Sequence, residues 1–204
     1  HHMLVRYDER GCGMSARKPA RFSVKAWVDD LEAVVEDRGL ERFPIFGMSQ
    51  GASIAVAYAV RHPDKVSRLI LYGGYARGRF KRDITPEERI ETETLLNLIR
   101  VGWGKDLPTF RQIFATLFMP DGLPHQHEWF SDLARLTVDP DIAEIMERAF
   151  YNIDVTKLAP KITVPTLVLH PRGDDMVPFA EGQLLAKLIP EARFVPLESH
   201  NHLL

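Results

Sequence analysis

A single cysteine, Cys12, stands in this chain of 204 residues. No intrachain disulfide can form, and such sparing use of cysteine fits a reducing compartment, so a cytoplasmic location is the expectation. No apolar run approaches the ~20 residues that span a bilayer. No charged-then-apolar leader opens the chain, and no membrane partner is expected. An excess of one charge is missing too. Lys and Arg number 26 against 28 Asp and Glu, for a net charge of −2, and the basic residues are scattered. That distribution gives no nucleic-acid surface and no polybasic membrane patch. Internal repeats and low-complexity tracts are also lacking. His1-His2-Met3 reads as the end of a purification tag and is set aside. What remains is 45% hydrophobic and 26% charged, a composition and length that suit one domain with a real core and a small inserted subdomain.

Strand and helix signals alternate along the chain. Leu4-Val5-Arg6-Tyr7 is a short strand candidate running into Gly11 and Gly13. Ser23 can cap a helix whose Trp27, Leu31, Val34 and Val35 share a face. The apolar run Phe43 to Phe46 ends at Gly47, and Ala52 to Val60 is apolar nearly all round, as in a buried helix. His62-Pro63 should stop that helix, because proline disfavours helical geometry in the residue before it. Leu69 to Tyr72, Thr166 to Leu169 and Arg193 to Leu197 read as further strands, with a helix from about Phe179 to Ile189. This alternation predicts an α/β fold, a mostly parallel sheet flanked by helices.

Residues 78–160 break the rhythm. Thr85-Pro86-Glu87-Glu88 has the cap, the first-turn proline and the third-position glutamate of a helix start. Further helices are expected around 107–118, 126–137 and 140–151. The division predicted is a core of 4–77 and 161–204 with a helical cap over 78–160. The aromatics Trp103, Phe110, Phe114, Phe118 and Trp129 could line an apolar pocket, though for any one of them holding helices together is the default role.

Gly47-Met48-Ser49-Gln50-Gly51 is G-x-S-x-G between a strand signal and a helix signal. There a serine sits on a sharp turn, and side chains in place of the glycines would collide with backbone. The Gln50 N–H, at a helix N-terminus, then faces a developing oxyanion. A serine needs a base, and the base an orienter. Asp174-Asp175 and Ser199-His200-Asn201-His202 follow later strands, at the ends where open α/β sheets place ligands.

At these residues the sequence resembles the α/β-hydrolase family, in its broad group of small bacterial serine esterases. Asp8-Glu9-Arg10-Gly11-Cys12-Gly13-Met14-Ser15 is similar to the family's D-x-R-G-x-G-x-S turn. Asp174 with Val177-Pro178 resembles its D-x-x-V-P acid position, and Asn201-His202 its small-residue-then-histidine ending. The resemblance spans Leu4 to Leu204 and implies Ser49 as nucleophile, Asp174 rather than Asp175 as the acid, and His202 rather than His200 as the base. Gln50 and Met48 would be the oxyanion and substrate-binding residues. The implied partner is a small-molecule ester with a small to medium acyl chain, with no metal and no cofactor. Lactones and thioesters use the same machinery. Epoxide hydrolases and haloalkane dehalogenases of this fold use a carboxylate nucleophile, so Ser49 argues against both. His170 is read as a structural histidine at a strand end, His62 as a helix-end residue, and His125 and His127 as exposed loop residues with no metal partner suggested by spacing.

Against the family pattern the core reads as N-terminally shortened. The family's strands before Leu4, its second oxyanion loop and its last helix have no counterpart here. An oxyanion hole with one donor would cost ~100-fold or more in turnover, which keeps a ligand-sensing or interaction module as the alternative. An uncovered sheet edge also implies a homo-oligomer that covers it.

Overall fold

Ser23 sets the first helix. Its hydroxyl accepts the Ala26 N–H at 3.2 Å, and α1 (Val24–Asp37) follows, burying Ala26, Trp27, Val28 and Val35. The computed structural model describes residues 3–203 except 104, 106 and 107. Strand β1 (Phe43–Met48) leads directly into α2 (Gln50–Arg61), whose Ala52 through Ala59 are all buried. The apolar surround of that segment is what a helix between sheet and outer helix requires. Strand β2 (Val66–Tyr72) comes next. After the inserted helices come β3 (Thr166–Pro171), then a helix at Phe179–Leu188, then β4 (Arg193–Leu197).

The sheet order is β1-β2-β3-β4, and every pair is parallel. Met48 lies opposite Tyr72, Tyr72 opposite Leu169, and Pro171 opposite Leu197. All four strands therefore end on one side, and the loops leaving them converge there. The core packs α2, Leu69, Leu71 and Val168 against Trp27, Val35 and Leu185.

Among the described residues four α-helices stand between β2 and β3: α3 (Pro86–Gly102), α4 (Pro108–Phe118), α5 (Pro124–Thr137) and α6 (Pro140–Tyr151). The helix at Phe179–Leu188 is then α7. Thr85 and Glu88 form the capping box expected of α3. Leu96, Ile99, Phe114, Val138 and Ile142 make a second apolar cluster among these helices.

One strand expectation fails. Leu4 to Tyr7 forms no strand and pairs with no strand among the described residues, and Leu4 is 79% exposed. A four-residue apolar alternation becomes a strand only where a neighbour takes its N–H and C=O groups. Among the described residues no strand lies beside the outer edge of β1. Pro44, which has no N–H to donate, and Phe46 lie exposed on this edge strand.

Candidate active site

The turn between β1 and α2 holds Ser49 at φ 54° and ψ −125°. Positive φ at a residue with a Cβ is strained by about 1–3 kcal/mol. The surroundings enforce it: the Ser49 N–H donates to the Tyr72 carbonyl at 2.9 Å, and its carbonyl accepts from Ala52 N. Gly47 is required sterically, since a Cβ there would lie 2.6 Å from the Gly51 carbonyl oxygen and 2.8 Å from Ala52 Cα. Gly51 differs from expectation. A Cβ there meets nothing within 4 Å, and its φ is not positive. Only the first glycine of the motif relieves a collision.

Asp174 and His202 are 5% and 1% exposed. Asp174 Oδ2 lies 2.7 Å from His202 Nδ1. Its Oδ1 accepts the N–H groups of Met176 at 3.0 Å and Val177 at 2.9 Å. A carboxylate that accepts on both oxygens fixes Nδ1 as the donor, which leaves Nε2 as the free lone pair of a neutral imidazole. That Nε2 is buried and has no hydrogen-bond partner among the described residues, Ser49 Oγ included. Ser49 and His202 line the same cavity, of about 270 Å³.

Among the described residues the other histidines lie off the cavity wall, although His170 Nε2 stands 3.7 Å from Asp174 Oδ2. His170, fully buried at the end of β3, meets the Val177 carbonyl at 2.9 Å through Nε2, and burial lowers its pKa. His200 is exposed and pairs with Asp121 at 2.7 Å. His62 ends α2 and contacts Glu32 at 2.5 Å. His125 and His127 are not loop residues: they lie in the first turn of α5, which Pro124 starts two residues before the expected boundary, and His127 Nε2 meets the Met119 carbonyl at 2.7 Å. Among the described residues no group of three or more His, Cys, Asp or Glu could hold a metal.

The remaining expected residues divide. Gln50 lines the cavity; Met48, half-buried at the end of β1, does not. Of the five aromatics, Trp103 and Phe118 reach the cavity, while Phe110 and Phe114 border a smaller recess with Trp103. Trp129 is 59% exposed. Trp103 also binds helices together, its Nε1–H donating to the Ala134 carbonyl at 3.2 Å.

Sequence reasoning missed three contributors. Gly73, at φ 54° just past β2, passes beneath the Asp174–His202 pair, where a Cβ would lie 3.2 Å from His202 Cε1. A glycine pair at a strand end was its only signal. Glu9 and Glu147 reach the cavity from the 8–15 turn and from α6. Burial foremost, and then the Glu147 charge, push Glu9 up to about 7. Burial likewise pushes Glu147 up to about 7. Cys12, also at the cavity wall, is raised to about 12 by burial and so stays a thiol, unsuited as nucleophile.

Arg10 explains the rest of its turn. It holds Asp30 of α1 with two bonds of 2.7 Å and donates to the Ala26 and Arg21 carbonyls. Asp8 Oδ2 accepts the Met14 N–H, and Ser15 Oγ donates to the Asp8 carbonyl.

A strained serine at a strand-to-helix turn and a buried Asp–His pair at later strand ends invite comparison with known proteins. A family model described as the alpha/beta hydrolase fold matches residues 1–204. The chain belongs to the α/β-hydrolase fold family. This α/β-hydrolase is 29% identical to the AB hydrolase superfamily protein YisY of Bacillus subtilis, over 98% of this chain and 74% of that one. It is 27% identical to pyrrolizixenacetamide deacetylase of Xenorhabdus hominickii, over 96% and 72%. Among solved structures, the esterase EaEST from Exiguobacterium antarcticum superposes with a TM-score of 0.81 at 26% identity, over 95% of this chain and 72% of that one.

Proposed function

We propose that this α/β-hydrolase cleaves carboxylic esters through Ser49, His202 and Asp174. The observation that carries the reading is the free, buried His202 Nε2 at the wall of the cavity that also holds Ser49, with Nδ1 held by Asp174 at 2.7 Å. His202 takes the Ser49 proton as the oxygen attacks the ester carbonyl, then gives it to the leaving alcohol. Asp174 keeps the tautomer and stabilises the imidazolium. The Gln50 N–H, first in α2, contributes to the oxyanion hole, and water then releases the acid. Residues 78–160 act as a lid whose aromatic side chains receive a small to medium acyl chain. The esterase EaEST supports ester cleavage by analogy of fold and sequence. The named deacetylase makes amides the first competing substrate to assay, with lactones and thioesters beside them.

One observation favours the second reading, a ligand-sensing module with little turnover: no hydrogen bond joins Ser49 to His202. Catalytic hydrogen bonds often tighten only with substrate bound, so hydrolysis is the reading preferred. Hydrolysis of p-nitrophenyl esters from acetate to dodecanoate by the wild type, with none by Ser49→Ala, is the expected result. Equal rates in both would overturn the assignment. Absent turnover, together with no Ser49-dependent fluorophosphonate labelling, would favour the sensor. The reading extends to self-association of copies at the free β1 edge, where Phe46 is 51% exposed; a monomer at all concentrations in light scattering would remove that part.

A further inference from the structure

Charged groups on the cavity wall are not evenly compensated. Arg82 already meets Glu181 at 3.8 Å and the Arg77 carbonyl at 3.3 Å, and Arg79 approaches Glu91 at 4.0 Å. Three carboxyl groups line the wall; Asp175 is exposed to solvent, whereas Glu9 and Glu147 are half-buried. Among the described residues no Lys, Arg or His forms an ion pair with Glu9 or Glu147. Glu9 has only a long contact, 3.5 Å, from Gln50 Nε2, and Glu147 faces the Tyr151 hydroxyl. Both line the cavity that the unpartnered, 1%-exposed His202 also faces. The remaining wall is largely apolar, with Phe118, Phe130 and Phe150 prominent.

We propose that Glu9 and Glu147 form a subsite that selects ligands carrying a primary ammonium group on an apolar body. The proposal deepens the serine-hydrolase reading and rests on it for the use of the cavity as a substrate site. An uncompensated carboxylate in a partly dehydrated wall is costly, and a ligand cation that enters as its partner removes that cost. Tyr151 lines the same cavity, and an aromatic ring beside a carboxylate suits a cation as well. A neutral isostere would leave the carboxylates as they were.

The preference switches with pH. Both carboxyls titrate near neutrality, at about 7. Below that they are neutral and attract no cation; above it they are charged and do. The groups facing them are Cys12 and Gln50 beside Glu9, Tyr151 on α6, Tyr75, Arg79 and Arg82 after β2, Asp175 after β3, and His202. Asp30 adds to the repulsion at Glu9. His202 would repel a cation when protonated, so the carboxyl variants are needed beside the pH series.

Calorimetric titration with 2-phenylethylammonium and with its neutral counterpart 2-phenylethanol tests this. The chains are the wild type, Ser49→Ala, and the double variant Glu9→Gln/Glu147→Gln. Near pH 8.5 the wild type and Ser49→Ala should bind the ammonium about 10-fold tighter than the alcohol, or more, as one compensated charge implies. The preference should vanish near pH 5.5 and in the double variant. Equal or tighter binding of the alcohol by the wild type near pH 8.5 overturns the proposal, and so does a preference that survives at acid pH or in the double variant. If the double variant does not fold, the single variants Glu9→Gln and Glu147→Gln decide: each should lower the preference near pH 8.5, and a preference unchanged in both overturns the proposal. Binding to Ser49→Ala needs no turnover, so a failed esterase assay and a failed ammonium subsite are separate results.

Discussion

The main-chain N–H of His202 donates to the carbonyl of Phe118, the last residue of α4, at 2.8 Å. The proposed base is thus held by the inserted helices as well as by the core. The Phe118 ring stands edge-on to the imidazole at 5.7 Å. Asn201 Oδ1 accepts the Asp121 N–H at 3.0 Å, and the Asp121 carboxylate meets His200 at 2.7 Å. Any displacement of the α4–α5 turn therefore pulls on the histidine loop.

Asn201→Ala removes the side-chain acceptor from Asp121 N and leaves the imidazole itself untouched. The expected outcome is a loss of about 1 kcal/mol, hence a Tm lower by about 2–4 °C. Ester turnover should fall several-fold, with kcat affected more than KM because the residue orients the base and does not hold the acyl group. Calorimetry and steady-state kinetics on the same preparation check it. An unchanged kcat would mean that the backbone bond to Phe118 and the Asp174 contact suffice to position His202.

The His200–Asp121 contact adds a pH dependence. Hydrogen bonding to Asp121 foremost, and its charge, raise the His200 pKa. A histidine whose folded pKa exceeds its unfolded one stabilises the fold fully below the unfolded value, and that stabilisation is lost as pH rises through the folded value. The wild type should therefore exceed His200→Gln in Tm in mild acid, and the two should converge in mild alkali. His200 is exposed, so the effect is small and screened by salt. A Tm difference that grew with pH would contradict the assignment.

Gly73→Ala tests the close approach beneath the Asp174–His202 pair. The alanine must hold φ near 54° and push its Cβ to 3.2 Å from His202 Cε1. The strain is about 1 kcal/mol or more, and the ring must shift by a few tenths of an ångström. Turnover should drop by about 10-fold or more, since small misplacements of catalytic groups are costly. The pH profile of kcat should also move, which plain destabilisation would not cause. Asp174→Asn should cost far more, about 10⁴-fold in kcat as for other Ser-His-Asp systems, with the fold retained.

How much of this was legible beforehand follows local chemistry. The Ser23 cap, the Thr85–Glu88 box and the all-round apolar stretch of α2 are decided within a few residues, and their elements appear where expected. Motif order points to Ser49, Asp174 and His202, and the fold brings Asp174 onto His202 and Ser49 into the cavity that His202 lines. Non-local features were not legible. Leu4–Tyr7 has strand chemistry but no pairing partner among the described residues. Glu147 sits on α6 among ordinary helix residues, and only the packing of α6 over the strand ends turns it toward Glu9. Phe118 was read for its ring, whereas its carbonyl also holds the histidine loop.

Arg10 offers the last test, because it ties the turn that carries Glu9 to α1. Its guanidinium makes two 2.7 Å bonds to Asp30 and two more to main-chain carbonyls. The pair is only partly exposed, at 21% and 29% of the two side chains, so its bonds are less screened than those of a surface pair. Arg10→Ala should cost about 1–3 kcal/mol, read as a lower urea midpoint with an unchanged slope. Arg10→Lys should recover only part of it, because an ammonium cannot reproduce the planar fork. The same variants should weaken the ammonium preference of the cavity while leaving the p-nitrophenyl acetate rate nearer to normal, since Glu9 loses its anchor and Ser49 does not. A double-mutant cycle with Asp30→Ala isolates the pair; a coupling near zero would place the anchor in the carbonyl contacts to Ala26 and Arg21 instead.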